Sequence, residues 1–188
     1  KKSLEVIKKN KNNGKKFSVG VSINNLSLNE NDIGEFKTFL KISPPLRTEE
    51  DRLSLIQGIK ENLIDVIVSD HSPEDEESKR LPFAQAATGA IGIETLLPLA
   101  LEMYHNELLP LEKIIETLTI NPSKILKINK GTLKKGADGD ICIFDLEAPW
   151  KLNAEKLKSK SKNTAVEDRK LQGKVLMTFL NGELVFNQ

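Results

Sequence analysis

Cysteine and histidine are scarce in this sequence of 188 residues. It contains one cysteine, Cys142, and two histidines, His71 and His105. A single cysteine excludes a disulfide within the chain, so the composition fits a reducing compartment such as the cytoplasm. Cys142 lies in the apolar run 141–144, and we expect it to be a small core residue. A catalytic zinc usually has about three protein ligands, mostly histidine, so this chain cannot build a histidine-rich zinc site alone.

Several signatures of function are also missing. There is no H-x-H pair, no H-E-x-x-H or C-x-x-C motif, no G-x-S-x-G elbow and no Walker A loop. No apolar run approaches the length of a membrane span. The 28 basic and 27 acidic residues nearly cancel, which argues against a nucleic-acid-binding surface. We expect the lysine-rich stretches 1–16 and 151–162 to be solvated faces, because no aromatic residues are interleaved with them.

What the sequence does contain is an alternation of helix and strand patterns. The predicted order is helix 1–13, strand 17–23, polar loop 24–34, strand 39–42, a helix capped by Thr48, and strand 65–69. The strand at 65–69 is apolar on both faces, which is typical of a parallel sheet covered by helices. Alternation of this kind indicates an α/β fold with parallel strands.

The second half of the sequence changes character. A long polar loop, 72–85, precedes three predicted helices at 95–104, 111–119 and 122–126. Beyond Lys130 the pattern is of strands, at 140–145, 174–180 and 183–186. Asn181-Gly182 between the last two is a strong hairpin signal. We therefore predict two structural units, residues 1–130 and residues 131–188.

Chemistry is first suggested where the strand at 65–69 ends, at Asp70-His71. Reactive groups gather at the carboxyl ends of parallel strands, so Asp70 is a candidate metal ligand or general base. The alternative is that Asp70 caps a turn and His71 packs beside it. His105 follows a predicted helix and is expected to be a surface or helix-end residue.

Five segments, in order, resemble the dihydroorotase family of cyclic amidohydrolases. They are Ser43-Pro44-Pro45-Leu46-Arg47, Ser69-Asp70-His71-Ser72-Pro73, Gly89-Ala90-Ile91-Gly92-Ile93-Glu94-Thr95, Asn121-Pro122-Ser123 and the glycine-rich segment 131–140. The resemblance covers nearly the whole chain. It implies the C-terminal part of a (β/α)8 TIM-type barrel in residues 1–130, followed by the C-terminal half of a small β-sandwich in residues 131–188.

The resemblance also implies an activity and a set of site residues. The reaction is the interconversion of N-carbamoyl-L-aspartate and dihydroorotate, in pyrimidine biosynthesis. Asp70 is expected to be the catalytic acid and a zinc ligand, and Asn24 stands where the family has a histidine ligand. The other zinc ligands would lie on sequence that precedes this chain, so we expect the chain alone to be inactive. The residues expected to bind substrate are Ser43, Arg47, Glu74, Thr88 and Gly89.

Three of these positions depart from the family pattern. Asn24 replaces histidine, Glu74 replaces a substrate-binding histidine, and Ser43 replaces asparagine. An amide binds zinc poorly beside imidazole, and a carboxylate at residue 74 would repel an anionic substrate. The chain would then be part of a working dihydroorotase that binds carboxylates with Lys79 or Arg80, or part of a non-catalytic structural partner of aspartate carbamoyltransferase.

Two further expectations follow from the resemblance. A weaker alternative to both readings is an amidohydrolase that acts on hydantoins or allantoin. The resemblance also favours a homo-oligomer, with no nucleic-acid or membrane partner.

Overall fold

The computed structural model describes all 188 residues and has an α/β architecture. Its α-helices are α1 (Lys2–Asn12), α2 (Ile23–Ser27), α3 (Glu49–Lys60), α4 (Glu76–Arg80), α5 (Leu96–His105), α6 (Leu111–Leu118) and α7 (Ile120–Leu126). Its strands are β1 (Gly20–Ser22), β2 (Val66–Val68), β3 (Ile141–Lys151), β4 (Lys170–Leu180) and β5 (Glu183–Asn187). Short 3-10 turns lie at Glu30–Ile33, Thr38–Leu40 and Ala154–Lys156.

The parallel strands are where the alternation predicts them. β1 and β2 pair in parallel, with Gly20 opposite Val66 and Ser22 opposite Val68. α3 begins after Thr48, whose hydroxyl accepts the N–H of Asp51 as the sequence predicts. The strands are shorter than the predicted segments. The parallel α/β class is confirmed, and the (β/α)8 barrel stays a prediction because the chain contributes two such strands.

Two segments differ from the prediction. The expected loop 24–34 contains α2 and a 3-10 turn, because the Ser22 hydroxyl accepts the N–H of Asn24 and Asn29 forms a capping box with Asp32. The expected strand 39–42 is wrong. Alternating burial of Leu40 and Ile42 imitates a strand, but the backbone forms a 3-10 turn with no neighbouring strand.

One core joins both parts of the chain. Its 21 buried apolar residues come mainly from residues 1–130, and Leu152, Val166 and Leu171 extend it into the second region. The side chain of Leu101 in α5 approaches Gly173 of β4 so closely that a Cβ there would lie 2.4 Å from it. The second region is therefore packed on α5, while the proposed domain boundary near residue 130 stays a prediction.

The second region is a three-stranded antiparallel sheet in the order β3-β4-β5. Asn181 and Gly182 both have positive φ angles, 52° and 82°, as a two-residue hairpin turn requires. The hairpin prediction is confirmed. Cys142 is exposed, so the expectation of a core cysteine is wrong for this chain, because β3 presents it on a sheet face with no second layer. The β-sandwich remains a prediction. None of the helices has the length and apolar character needed to cross a membrane.

Candidate functional site

The carboxyl ends of β1 and β2 meet at one edge of the parallel sheet, because Ser22 is the register partner of Val68. A cavity of about 970 Å³ runs along this sheet. At the strand ends, the residues that line it are Ser22, Asn25, Pro44, Pro45, Arg47, Val68 and Asp70. The strand ends thus bring together residues that lie up to 48 positions apart in the sequence.

Asp70 ends the extended run of β2 with a left-handed backbone, at φ 51°. Aspartate tolerates this conformation better than bulky residues, and strained backbone of this kind clusters at functional sites. The side chain is half-buried and forms no hydrogen bond within the chain. A carboxylate that faces a cavity without a partner is available to a ligand, so the structure places Asp70 where the sequence predicts it.

His71 has a structural role in this chain. Its Nδ1 lies 3.2 Å from the backbone nitrogen of Gly92 and 3.4 Å from that of Ile93, and it accepts both N–H groups. His71 also forms an isolated parallel bridge with Ala90. The Nδ1 lone pair is therefore occupied by the backbone and cannot bind a metal. The packing alternative describes His71, and the catalytic role of Asp70 stays a prediction.

Arg47 is the one arginine of four that has no ion-pair partner. The others pair as Arg52 with Glu49, Arg80 with Glu76 and Glu77, and Arg169 with Glu102. Arg47 lines the same cavity as Asp70. A guanidinium offers a planar fork of donors that matches a carboxylate. Arg47 is thus an available binding group for an anionic ligand beside Asp70.

Asn24 and Ser43 do not line the cavity. Asn24 is 2% exposed in α2, and its Nδ2 has no hydrogen-bond partner. The neighbouring Asn25 lines the cavity instead, and its Nδ2 donates to the carbonyls of Pro44 and Pro45 at 3.4 and 3.3 Å. Ser43 is exposed on the segment that Asn25 holds.

A zinc centre does not fit the residues of this chain by themselves. The chain has no group of three or more His, Cys, Asp or Glu side chains positioned to hold a metal. Asp70 supplies one carboxylate, and the buried amide of Asn24 is a weak donor outside the cavity. Asp70 is therefore the only one of the two expected ligands that reaches the cavity.

The other expected substrate-binding residues lie on the segment 72–90, away from the cavity lining. Thr88 is exposed and Glu74 is half-buried. Gly89 is buried, and its N–H donates to the Lys41 carbonyl at 2.9 Å. The Gly89 carbonyl accepts from two side chains. Both backbone groups of Gly89 are therefore occupied within the chain, while Thr88 is accessible.

Lys79 and Arg80 are not placed to bind carboxylates of a substrate in the cavity. Lys79 is 1% exposed, and its ammonium donates to the carbonyls of Ala87 and Gly89 at 2.9 Å each. Burial lowers the pKa of Lys79 below its ordinary value. Arg80 is exposed on α4 and pairs with Glu76 and Glu77 of the same helix. The expectation that either residue replaces the family's substrate contacts is wrong for this structure.

The sequence gives no signal for Asn163, which the structure brings to the same segment. Asn163 is 3% exposed and hydrogen bonds to residues 72, 74 and 89. It lies 74 to 91 positions away from them, just after the lysine-rich stretch 151–162 that is expected to be solvated. No local pattern in the sequence predicts a contact at that separation.

Residues 6–185 match a family model described as the amidohydrolase family. Among curated relatives, the chain is 44% identical over 184 residues to a dihydroorotase of Ehrlichia canis, and covers 41% of it. It is 41% identical over 186 residues to a dihydroorotase of Aquifex aeolicus, and covers 44% of that protein. These alignments take in 98% and 99% of the chain. The chain thus spans about two fifths of the length of these relatives.

Comparison with solved structures finds the same architecture. An L-hydantoinase from Arthrobacter aurescens superposes with a TM-score of 0.91 at 28% identity, over 98% of this chain and 42% of that one. A D-hydantoinase superposes with a TM-score of 0.90 at 22% identity, over 100% of this chain and 43% of that one. The second likeness concerns the fold alone.

Proposed function

The chain belongs to the amidohydrolase family, and we propose that it is the C-terminal part of a dihydroorotase. The relatives of that name match it over nearly its whole length. In this proposal residues 1–130 are the last part of a (β/α)8 barrel. Residues 131–188 are the C-terminal half of a β-sandwich, and the barrel site opens at the carboxyl ends of β1 and β2.

The observation that carries the proposal is that Asp70 and Arg47 line the same cavity. Dihydroorotate has a cyclic amide and a carboxylate. Arg47, which has no partner within the chain, is the group that would bind the carboxylate. Asp70, which has no hydrogen-bond partner, is the group that would transfer the proton. A cation and an acid that line the same cavity, neither of them in an ion pair, match the two features of this substrate.

In the hydrolytic direction, water adds to the ring amide carbonyl, the carbon–nitrogen bond breaks and the nitrogen gains a proton. We assign the proton transfer from the attacking water to the leaving nitrogen to Asp70. Ring closure of N-carbamoyl-L-aspartate reverses these events. Asp70 is also the carboxylate at the strand ends that this chain would offer to a zinc centre, and the remaining ligands are placed outside the chain in this proposal.

Ser43, Thr88 and Gly89 have different roles in the proposed binding of substrate. Exposed Thr88 and Ser43 are the side chains free to contact a ligand. Gly89 acts through shape, because a Cβ at this position would lie 2.6 Å from Ser72 Oγ. Glu74 would lie near these substrate-binding residues. Its negative charge would disfavour the binding of an anionic ligand there.

A second candidate is a non-catalytic partner of aspartate carbamoyltransferase. It is favoured by Asn24, whose buried amide lies outside the cavity at the position where the family has a histidine ligand. We rank it second because the Asp70 and Arg47 pair would have no use in a protein without a substrate. A hydantoin-hydrolysing enzyme ranks third, since simple hydantoins lack the carboxylate that Arg47 would bind.

The test uses the complete protein that contains this chain. The expected result is conversion of dihydroorotate to N-carbamoyl-L-aspartate with near-stoichiometric bound zinc, and no turnover of unsubstituted hydantoin. A folded, metal-free protein that turns over neither compound would refute the enzymatic proposal. Co-elution with aspartate carbamoyltransferase at micromolar concentration would then support the second candidate. Light scattering on the same sample tests the proposed homo-oligomer.

A further inference from the structure

Two side chains from distant parts of the sequence meet at the carbonyl oxygen of Gly89. Lys79 Nζ donates to it at 2.9 Å and Asn163 Nδ2 donates to it at 3.2 Å. The N–H of the same residue is held by the Lys41 carbonyl at 2.9 Å. Both backbone hydrogen-bonding groups of Gly89 are therefore satisfied by the protein, which fixes the orientation of this residue.

Lys79 is an ammonium group buried without an ion-pair partner. Its hydrogen bonds go to the carbonyls of Ala87 and Gly89. The charge of Glu74 partly offsets the lowering of its pKa by burial, but the two residues form no ion pair. Burying a cation without an ion-pair partner is costly. A lysine at the surface would avoid that cost. We therefore explain the burial of Lys79 by its hydrogen bonds, which hold the backbone from residue 87 to residue 89 in place.

Asn163 joins the two ends of the 72–90 segment. Its Nδ2 donates to the carbonyls of Ser72 and Gly89 at 3.2 Å each, and its Oδ1 accepts the N–H of Glu74 at 3.3 Å. Both N–H groups of the amide and one lone pair of its oxygen are used. Ser72 follows Asp70 by two residues, so this contact fixes the backbone just after the proposed catalytic acid.

We propose that Lys79 and Asn163 are positioning residues, which hold the 72–90 segment in one conformation and thereby fix Thr88 and Gly89, the proposed substrate-binding residues, relative to Asp70. The inference rests on the proposed function for the identity of the substrate, but not for the conformation of the segment. In this proposal the second region also contributes to the site, because Asn163 lies in the connection between β3 and β4.

The first test is Asn163→Asp in the complete protein. The substitution keeps an oxygen that accepts the N–H of Glu74. It replaces the NH2 group, which donates to the carbonyls of Ser72 and Gly89, with a second oxygen. The matched control is Asn153→Asp, because exposed Asn153 caps a turn by accepting the N–H of Glu155, and aspartate caps equally well. Amide hydrogen exchange of residues 72–90 should accelerate about tenfold or more in the first variant, because both hydrogen bonds that the Asn163 Nδ2 donates are lost. It should stay unchanged in the control and in α5.

The second test is Lys79→Met, which keeps most of the side-chain length and removes the ammonium. We expect the same acceleration of exchange, and a rise of about tenfold in the KM for dihydroorotate with kcat changed by less than about threefold. Unchanged exchange of residues 72–90 in both variants would overturn the inference. Acceleration that extends equally through α5 would also overturn it, since that outcome indicates general destabilisation. If the unmodified protein turns over no dihydroorotate, the proposed function fails while exchange still decides the positioning role.

Discussion

The two regions of this chain differ in how they bury their apolar residues. Residues 1–130 supply 18 of the 21 core residues and enclose them between α3, α5 and the parallel strands. In residues 131–188 every buried side chain lies between Leu152 and Leu171. The hairpin of β4 and β5 instead leaves large apolar side chains exposed, namely Leu176, Met177, Leu180, Leu184, Val185 and Phe186.

The two regions contribute differently to the site. The cavity, with Asp70 and Arg47, is lined by residues of the first region. The second region is attached through its middle, where Leu152 and Leu171 join the core and Asn163 reaches the 72–90 segment. Its hairpin has an apolar face with no cover in this chain. Function should therefore be most sensitive to changes in the first region, and stability to changes in the shared core.

The largest expected effect is on activity. Asp70→Asn should lower kcat/KM for dihydroorotate in the complete protein by about 10³-fold, because the amide cannot accept a proton. The matched control is Asp75→Asn at the N-cap of α4, where asparagine caps as well as aspartate. Steady-state kinetics on both variants measure the effect. Equal activities would remove Asp70 from the chemistry.

The next effect contrasts the two apolar environments. Leu99→Ala, at a side chain that is 0% exposed, should lower the free energy of unfolding by about 2–5 kcal/mol. Leu184→Ala, at a side chain that is 50% exposed, should change it by less than about 0.5 kcal/mol in this chain. Urea unfolding measures both. A large loss from Leu184→Ala in the complete protein, but not in the chain alone, would show that another segment covers the hairpin.

The ion pair between the regions should have a pH-dependent effect. Burial raises the pKa of Glu102 above its ordinary value, and Arg169 opposes that rise from 2.9 Å. Arg169→Met should cost about 1–3 kcal/mol at pH 7, since it leaves a buried carboxylate unpaired.

The sign of that pH dependence follows from the raised pKa. Protonated Glu102 stabilises the fold fully below its unfolded pKa, and this contribution is lost as pH rises through the folded value. The loss from Arg169→Met should therefore shrink towards pH 4, as urea unfolding at both pH values would show. Glu102→Gln combined with Arg169→Met should recover most of the loss. A deficit equal at both pH values would contradict this assignment.

The smallest effect is expected at the start of α3. Hydrogen bonds from Arg52 and Asn29 lower the pKa of Glu49 to about 2. The stability from this lowered pKa is present above about pH 4.5 and lost as pH falls towards 2. Because nearly half of the Glu49 side chain is exposed, Glu49→Gln should cost less than about 1 kcal/mol at pH 7. Thermal unfolding should show no difference from the unmodified chain near pH 2, with Glu30→Gln as the exposed control.

Local signals in the sequence account for much of the fold and for part of the site. Thr48 as a helix cap, Asn181-Gly182 as a hairpin turn and Asp70 at a strand end each depend on neighbouring residues, and each lies where it is expected. The segment 39–42 has the alternation of a strand but no strand beside it, which a local pattern cannot reveal.

The remaining contacts depend on tertiary structure. Asn163 hydrogen bonds to residues 74 to 91 positions away, which no local pattern predicts. Lys79 is expected to bind a substrate carboxylate, but its burial directs the ammonium to backbone carbonyls instead. Motif resemblance places Asn24 at a metal position, but the packing of α2 buries that amide away from the cavity. Residue type and spacing therefore predict the strand ends, and packing decides which side chains reach the cavity.

The account is tested most directly by the substrate preference of Arg47→Met in the complete protein, with Arg80→Met as control. Arg80 is exposed and pairs only within α4. We predict that Arg47→Met lowers kcat/KM for dihydroorotate about 10²-fold, since a charge-assisted bidentate contact is lost. Turnover of dihydrouracil, which has the same ring without the carboxylate, should stay at its original low level, and Arg80→Met should leave both rates unchanged. Equal loss for both compounds, or no loss for either, would contradict the claim that the cavity beside Asp70 binds a carboxylate through Arg47.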